Sequence, residues 1–401
     1  MSSAEQASCS SRRSFLQLSA LAATAAVGLR IVTEPMLAAA EAHTFPKDAV
    51  VINANENPLG PCEAARAAVS GIAAQGGRYS MWLTEELVKT FASAEGLKPE
   101  YVRAFPGSSD PLHFSVLTFT SPAKSYVTAD PGYEAGMMAA KHSGARVVKV
   151  PLTASYAHDV KAMIVAAPDA GLFYICNPNN PSGTLTSHAD LEFALANKPK
   201  DAVVLVDEAY IHFSGATSAI DLVKGDKDVI VLRTFSKLYG MAGLRCGFAI
   251  ARPELLAKIG SYSGWGAMPI TAVAAATASL QDPRIIAERR SINTAVREET
   301  FAWLDKNGYS YIRSESNCFL LDTKRPAKSF IASMAAQNVF IGRAWPVLPT
   351  YARITVGTRA EMEQFQSAFE RTMKSPVVAA AQSFSTAERR YIDGLALPIS
   401  G

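Results

Sequence analysis

The sequence predicts an α/β fold: a large domain built as three layers around a mostly parallel sheet, with a smaller α/β domain beside it. Three observations carry this expectation. The chain has 401 residues, 49% hydrophobic and 19% charged, enough apolar material to bury more than one core. Between about residue 100 and 250, short β-branched apolar runs alternate with segments of helical period, the pattern of βαβ units. Directly after those runs stand compact polar clusters rich in Gly, Pro, Asn and Asp, which mark sharp turns at strand ends.

Taken in order, the first forty residues have a character of their own. "SRRSFLQL" (11–18) leads into "SALAATAAVGL", and the segment closes on "MLAAAEAH". A charged start, a short apolar stretch and a small-residue ending form an export signal. Arg12-Arg13 followed by Ser14-Phe15-Leu16 resembles the bacterial twin-arginine signal, which implies a periplasmic protein cut after Ala40. The alternative is an uncleaved anchor, but Gly28 and Arg30 interrupt the apolar run, which leaves it short for a membrane span.

"SYVTA" (125–129), "RVVKV" (146–150), "GLFYIC" (171–176), "AVVLV" (202–206), "DVIVLR" (228–233) and "CGFAI" (246–250) read as strands buried on both faces. "PLHFSVLTFT" and "SHADLEFALAN" between them read as helices, and 270–306 as long helix. "YSYIRSESNCFLLDT", "NVFIGRAW" and "ARITVGT" suggest a smaller sheet, closed by the helix "RAEMEQFQSAFERTM". The expected division is a leader over 1–40, a segment 41–75 packing with the small domain, a large domain over 76–285, a small domain over 286–374 and a tail over 375–401.

Composition narrows the function. A formal charge of +3 gives no electrostatic footprint for nucleic acid and no polybasic membrane patch. Cys62, Cys176, Cys246 and Cys318 are scattered without a CxxC pair, and the six histidines form no H-x-x-x-H pair, so no metal site is expected. An exported chain meets an oxidising compartment, and whether any of these cysteines pair is not readable from spacing.

Five polar clusters follow strand-like runs: "PGSSDP", "DPGYE", "NPNNPSGT", "DEAY" and "TFSKLYGMAGLR". In open parallel sheets, ligands bind where strand carboxyl ends meet loops and helix N-termini. "GSSDP" opening a helix offers backbone N–H groups and hydroxyls to a phosphate, and Arg245 adds a charged fork. Asp207, behind a buried strand, needs a cationic or hydrogen-bonding partner. Tyr133 offers a ring face, Asn180 and Tyr210 offer hydrogen bonds, and Lys237 offers an amine. A phosphorylated aromatic ring with a basic nitrogen, a phenolic oxygen and an aldehyde uses all of them, and pyridoxal 5′-phosphate is that ligand.

In these motifs the chain resembles the fold-type I aminotransferases of class I/II, most closely their histidinol-phosphate aminotransferase branch. The resemblance rests on "NANENPLGP" (53–61), "RY" (78–79), "GSSD" (107–110), "DPGYE" (130–134), "NPNNPSGT" (177–184), "DEAY" (207–210), "SKLYGMAGLRCG" (236–247) and "ARITVGT" (352–358). It implies that Lys237 forms the Schiff base and shuttles a proton, and that Asp207 pairs with the pyridine nitrogen. Asn180 and Tyr210 would bind the phenolic oxygen, and Tyr133 would stack on the ring. The cofactor phosphate would be held by Ser108, Ser109, Ser236 and Arg245. Tyr79 would reach the neighbouring subunit's cofactor in a homodimer. Arg353 would clamp the substrate carboxylate, with Asn55 nearby and Arg343 placed to meet a substrate phosphate.

Two departures bear on the substrate. The stretch from Arg343 to Arg353 is short and carries Trp345, Pro346 and Pro349, and "RYSMW" replaces the family's usual "RYP". The expectation is a transaminase for an amino acid with an aromatic or otherwise bulky side chain, with Trp345 and Trp82 lining the side-chain pocket. The same lysine and ring also serve decarboxylases, β-lyases and oxidases, and a protein that binds the cofactor without turnover is a further alternative. The products tell these apart.

Overall fold

A computed structural model describes residues 45–264 and 266–375. The expected leader (1–40), and with it Cys9, and the tail beyond 375 lie outside the described residues.

The large domain is organised around a seven-stranded sheet made of β2 (Val102–Phe105), β3 (Ser125–Asp130), β4 (Val147–Pro151), β5 (Ala170–Cys176), β6 (Val203–Asp207), β7 (Val229–Thr234) and β8 (Gly247–Ile250), in the order β2-β8-β7-β6-β5-β3-β4. All neighbouring pairs are parallel except those of β8, which runs antiparallel to both β2 and β7. The reason is connection length: β7 and β8 are joined by a loop without a crossover helix, and parallel neighbours need one.

Adjacent residues point to opposite faces, and both faces are packed. Phe173, Ile175, Val204, Val206, Val229 and Val231 enter one apolar cluster. Leu172, Tyr174, Cys176, Val203, Leu205, Ile230 and Leu232 enter the other. Six strands were expected to be buried on both faces. β4 departs from that: it is the sheet edge, with Lys149 exposed.

The covering helices are α1 (Glu63–Ile72), α2 (Met81–Glu95), α3 (Ser109–Phe119), α4 (Ala135–Ser143), α5 (Val160–Ala166), α6 (His188–Asn197), α7 (Ile220–Lys224), α8 (Pro253–Gly260) and α9 (Ile270–Leu280). The long helix read over 270–306 is two helices, α9 and α10 (Ile285–Lys306). Pro283 falls in the gap, and a proline inside a helix removes a hydrogen bond and clashes with the preceding turn. α10 begins in the large-domain core at Ile285 and ends in the small-domain core at Phe301 and Leu304.

The small domain holds an antiparallel sheet in the order β12-β10-β9, made of β9 (Tyr311–Ile312), β10 (Cys318–Asp322) and β12 (Tyr351–Thr355). Helices α11 (Ala327–Ala335) and α12 (Arg359–Lys374) pack with it. A parallel pair joins β1 (Val50–Ile52) to β11 (Val339–Ile341). The N-terminal segment 41–75 therefore divides. β1 lies with the small-domain core, whereas α1 packs on α9 of the large domain through Ala65. The short polar turn after β1 is what carries the chain across, and residues 53–57 lie on that crossing. Among the described residues all four cysteines are free, and no helix is long and apolar enough to cross a membrane.

Candidate active site

Parallel strands deliver their carboxyl ends to one edge, and the five polar clusters meet there. Ser108, Ser109, Tyr133, Asn180, Asp207, Tyr210, Ser236 and Lys237 all line one cavity, together with Cys176 and Thr234.

Asp207 ends β6 on the face shared with Val203 and Leu205. It is 4% exposed, so its carboxylate needs donors. The Tyr174 hydroxyl donates to Oδ2 at 2.9 Å and the Ala209 backbone N–H donates to Oδ1 at 3.1 Å. Strand register explains the tyrosine: Cys176 on β5 stands opposite Asp207, and Tyr174 lies two residues earlier on the same face. Burial, then the nearby Asp207 charge, pushes the Tyr174 pKa well above its ordinary value, so this hydroxyl stays a donor.

The amide of Asn180 has a fixed orientation. Arg353 Nη1 donates to its Oδ1 at 3.0 Å, and its Nδ2 donates to the Tyr210 hydroxyl oxygen at 3.3 Å. Asn55 Nδ2 reaches the same oxygen at 3.1 Å, and the Thr355 hydroxyl donates to Asn55 Oδ1 at 3.1 Å. Burial drives the Tyr210 pKa well above its ordinary value. With both contacts arriving as donors, the Tyr210 proton is left to serve a ligand oxygen.

Lys237, in the loop after β7, is 8% exposed. Its Nζ donates to the Ala54 carbonyl at 3.3 Å and stands 5.8 Å from the Tyr210 ring centroid. At the anion end, Ser108 caps the eleven-residue α3 without spending its hydroxyl on the cap. Arg245 Nη1 donates to Ser236 Oγ at 3.2 Å and to the Ala242 carbonyl at 3.1 Å. Gly107, at φ +93°, lies directly under this guanidinium: a Cβ there would stand 2.2 Å from Nη2. Only glycine lets the arginine approach the helix terminus so closely.

Arg353 lies on β12, where Ala352 and Ile354 face the small-domain core and alternation turns Arg353 and Thr355 the other way. Arg353 is 8% exposed. Its Nη2 donates to the Asn53 carbonyl at 2.6 Å, while its Nε is buried with no partner among the described residues. Burial lowers the Arg353 pKa from its ordinary value.

Arg343, Tyr79 and the two tryptophans remain to be placed. Arg343 forms an ion pair with Glu134 and lies over the Trp345 ring, 4.7 Å from its centroid. Tyr79 is 65% exposed, outside this chain's cavity lining. Of the two tryptophans expected to line a side-chain pocket, Trp345 is buried at 3% between Ile312 and Leu320, whereas Trp82 is 58% exposed. Trp82 lies in the first turn of α2, a helix that buries Leu87 and Phe91 instead. The sequence reading missed Tyr174, Glu134 and Thr355, whose partners lie on other elements and carry no local motif.

This donor set fits the expected cofactor. Hydroxyls and an arginine gather at a helix N-terminus where a phosphate would be held, a buried carboxylate lines the cavity and would pair with a ring nitrogen, a tyrosine proton is unspent, and an amine faces the same cavity. The fold and site define an enzyme that works through pyridoxal 5′-phosphate. The chain belongs to the aminotransferase class I and II family, whose model matches residues 47–369. A histidinol-phosphate aminotransferase of Symbiobacterium thermophilum is 34% identical over 326 residues, covering 80% of this chain and 90% of that protein. An aromatic amino acid aminotransferase of Rhodococcus jostii is 34% identical over 319 residues, covering 79% and 88%. The crystal structure of the histidinol-phosphate aminotransferase of Sinorhizobium meliloti in complex with pyridoxal-5′-phosphate matches with a TM-score of 0.77 at 24% identity, covering 86% and 96%. That last likeness bears on the fold. The protein is a pyridoxal-phosphate-dependent aminotransferase.

Proposed function

We propose that amino-group transfer between an amino acid and a 2-oxo acid is carried by Lys237 as proton carrier and Arg353 as carboxylate clamp. Bound in the cavity, the cofactor supplies an electron sink for the charge left when a proton departs from substrate Cα. Every other task falls to the chain. Lys237 Nζ takes that proton and returns it one position away. Asp207, with Tyr174 and the Ala209 N–H fixing its oxygens, holds a proton on the ring nitrogen. Asn180 and Tyr210 orient the phenolic oxygen; Ser108, Ser109, Ser236 and Arg245 hold the phosphate; Tyr133 covers the ring. Arg353, whose Nη1 and Nη2 are oriented by Asn180 and the Asn53 carbonyl, would meet the substrate carboxylate with its remaining N–H groups, with Asn55 beside it.

The observation that carries the reading is the hydrogen-bonded run Arg353–Asn180–Tyr210. It links the guanidinium read as the carboxylate clamp to Asn180 and Tyr210, which line the cofactor cavity. The test is an absorbance spectrum of the purified holoenzyme titrated with amino acids, beside Lys237→Ala. Loss of the lysine-bound band with one donor, and its return on adding a 2-oxo acid, is expected. A band unmoved by every donor, or unchanged by Lys237→Ala, overturns it.

Two further parts of the reading concern assembly and place. Leu59, Tyr79, Met81 and Trp82 are large apolar side chains left exposed, each at 41% or more, and such surface suits a partner copy. In a homodimer Tyr79 would complete the neighbour's site. Mixing inactive Lys237→Ala with Tyr79→Ala then restores activity through hybrid dimers; a mixture no better than its parts counts against it. Twin-arginine export predicts periplasmic enzyme, retained in the cytoplasm when Arg12-Arg13 becomes Lys-Lys.

A further inference from the structure

Tyr133 lines the cofactor cavity, and the next residue, Glu134, is turned toward the small domain. There it pairs with Arg343, which follows β11. Both side chains are largely withdrawn from solvent, at 11% and 15% exposure. Arg343 is also held from the side, because its guanidinium stands 4.7 Å from the Trp345 ring, an attractive cation–π geometry. Arg353 stands 5.8 Å from that same ring. Glu134, Arg343, Trp345 and Arg353 thus form one cluster around the guanidinium read as the carboxylate clamp. Within it Glu134 cancels Arg343, which leaves the charge of Arg353.

We propose that Glu134 determines specificity: by holding Arg343 it leaves this end of the site with charge for a single anionic group, the α-carboxylate, and so selects amino acids and 2-oxo acids with uncharged side chains. The inference rests on the reading of Arg353 as the carboxylate clamp. A side-chain carboxylate or phosphate reaching Arg343 has to displace Glu134, which strands a buried carboxylate without its partner. One that leaves the pair intact lies beside a like charge. An aromatic or aliphatic side chain makes neither demand. Glu134 acts through Arg343, as a built-in competitor for the position a second substrate anion would take.

The test uses binding as well as turnover. The holoenzyme is titrated with two unreactive carboxylates, 3-phenylpropionate and succinate, and kcat/KM is measured for phenylalanine, glutamate and O-phosphoserine. Wild type is expected to favour the monoanion in both measurements. Glu134→Gln frees Arg343 and is expected to shift the succinate-to-phenylpropionate affinity ratio by about tenfold or more toward succinate, the scale of one released charge contact. The gain in kcat/KM for glutamate is expected in KM. Arg343→Gln, which keeps Glu134, moves the ratio the opposite way, and the double variant loses the gain. A wild type that prefers the dianion, or a ratio unmoved by both single variants, overturns the proposal. Failure of the underlying reading looks different: Arg353→Lys would then leave phenylpropionate affinity unchanged.

Discussion

Arg353 on the small domain donates to Asn180 on the large one at 3.0 Å, and Asn180 passes the contact on to Tyr210 at 3.3 Å. The pair ties the two domains at the point where substrate and cofactor must meet. Asn55, on the segment that crosses between the domains, joins the same tyrosine and Thr355 of β12. On the proposed reading, a carboxylate bound at Arg353 would be felt through Asn180 by Tyr210, the group proposed to orient the cofactor's phenolic oxygen.

Arg353→Lys keeps the charge and removes the planar fork. A point charge cannot hold Asn180 Oδ1, the Asn53 carbonyl and a carboxylate together as the guanidinium does. The expected outcome is a KM raised for amino acid and 2-oxo acid alike, by about tenfold to a hundredfold for a lost bidentate contact of roughly 1.5–3 kcal/mol. Steady-state kinetics with both substrates checks it; a KM raised for one substrate alone contradicts a shared carboxylate clamp.

Asp207→Asn preserves shape and the two hydrogen-bonding oxygen positions only in part, since an amide presents one acceptor. A carboxylate and a ring cation about 4 Å apart attract by about 4 kcal/mol at an effective dielectric near 20. Losing that hold on the ring proton is expected to lower kcat by about a hundredfold or more, with the protein still folded. Circular dichroism and single-turnover kinetics on the same sample separate the two effects.

Gly107→Ala tests the anion cradle without touching a charged group. The added Cβ would fall 2.2 Å from Arg245 Nη2, at a φ of +93° that L-residues avoid. The guanidinium must move off Ser236, so cofactor affinity is expected to fall by about tenfold. The strained backbone is expected to cost about 1–2 kcal/mol of stability. Cofactor dialysis rates and thermal melts of the cofactor-free protein measure the two parts.

The sequence made the sheet and its ligand-bearing edge legible for one reason. Strands buried on both faces are written as unbroken apolar runs, and the clusters that follow them are contiguous in the chain. Lys237, Asp207 and Asn180 were visible for that reason. Tyr174 was not, because its role depends on the register that sets Cys176 against Asp207. Glu134 was not, because its partner Arg343 is 209 positions away. Nor does residue type say which way a tryptophan faces: Trp345 and Trp82 looked alike, yet one is buried and the other is at the surface. The destination of α1 depended on α9, a more apolar helix some two hundred residues on that declares no partner.

His158 supplies the pH prediction. The Cys176 carbonyl can only accept, so His158 Nε2, at 3.2 Å, carries the hydrogen and donates. The contact supports the start of the loop that presents Asn180. Burial lowers the His158 pKa from 6.5 to about 4, so the folded protein resists the proton that the unfolded chain accepts. Stability from this residue is fully present above about pH 6.5. It declines as the pH falls toward 4, by at most about 1.4 kcal/mol per unit. Across that window the loss approaches about 3 kcal/mol. Buried His212, whose pKa is also lowered well below its ordinary value, adds a slope of the same sign. His158→Gln keeps a donor for the carbonyl and removes the titration. Its melting temperature is expected to fall less steeply than wild type between pH 6.5 and 4.5, while a residual slope from His212 persists. Melting curves of both proteins across that range decide it, and parallel slopes would show that His158 takes up its proton as readily folded as unfolded.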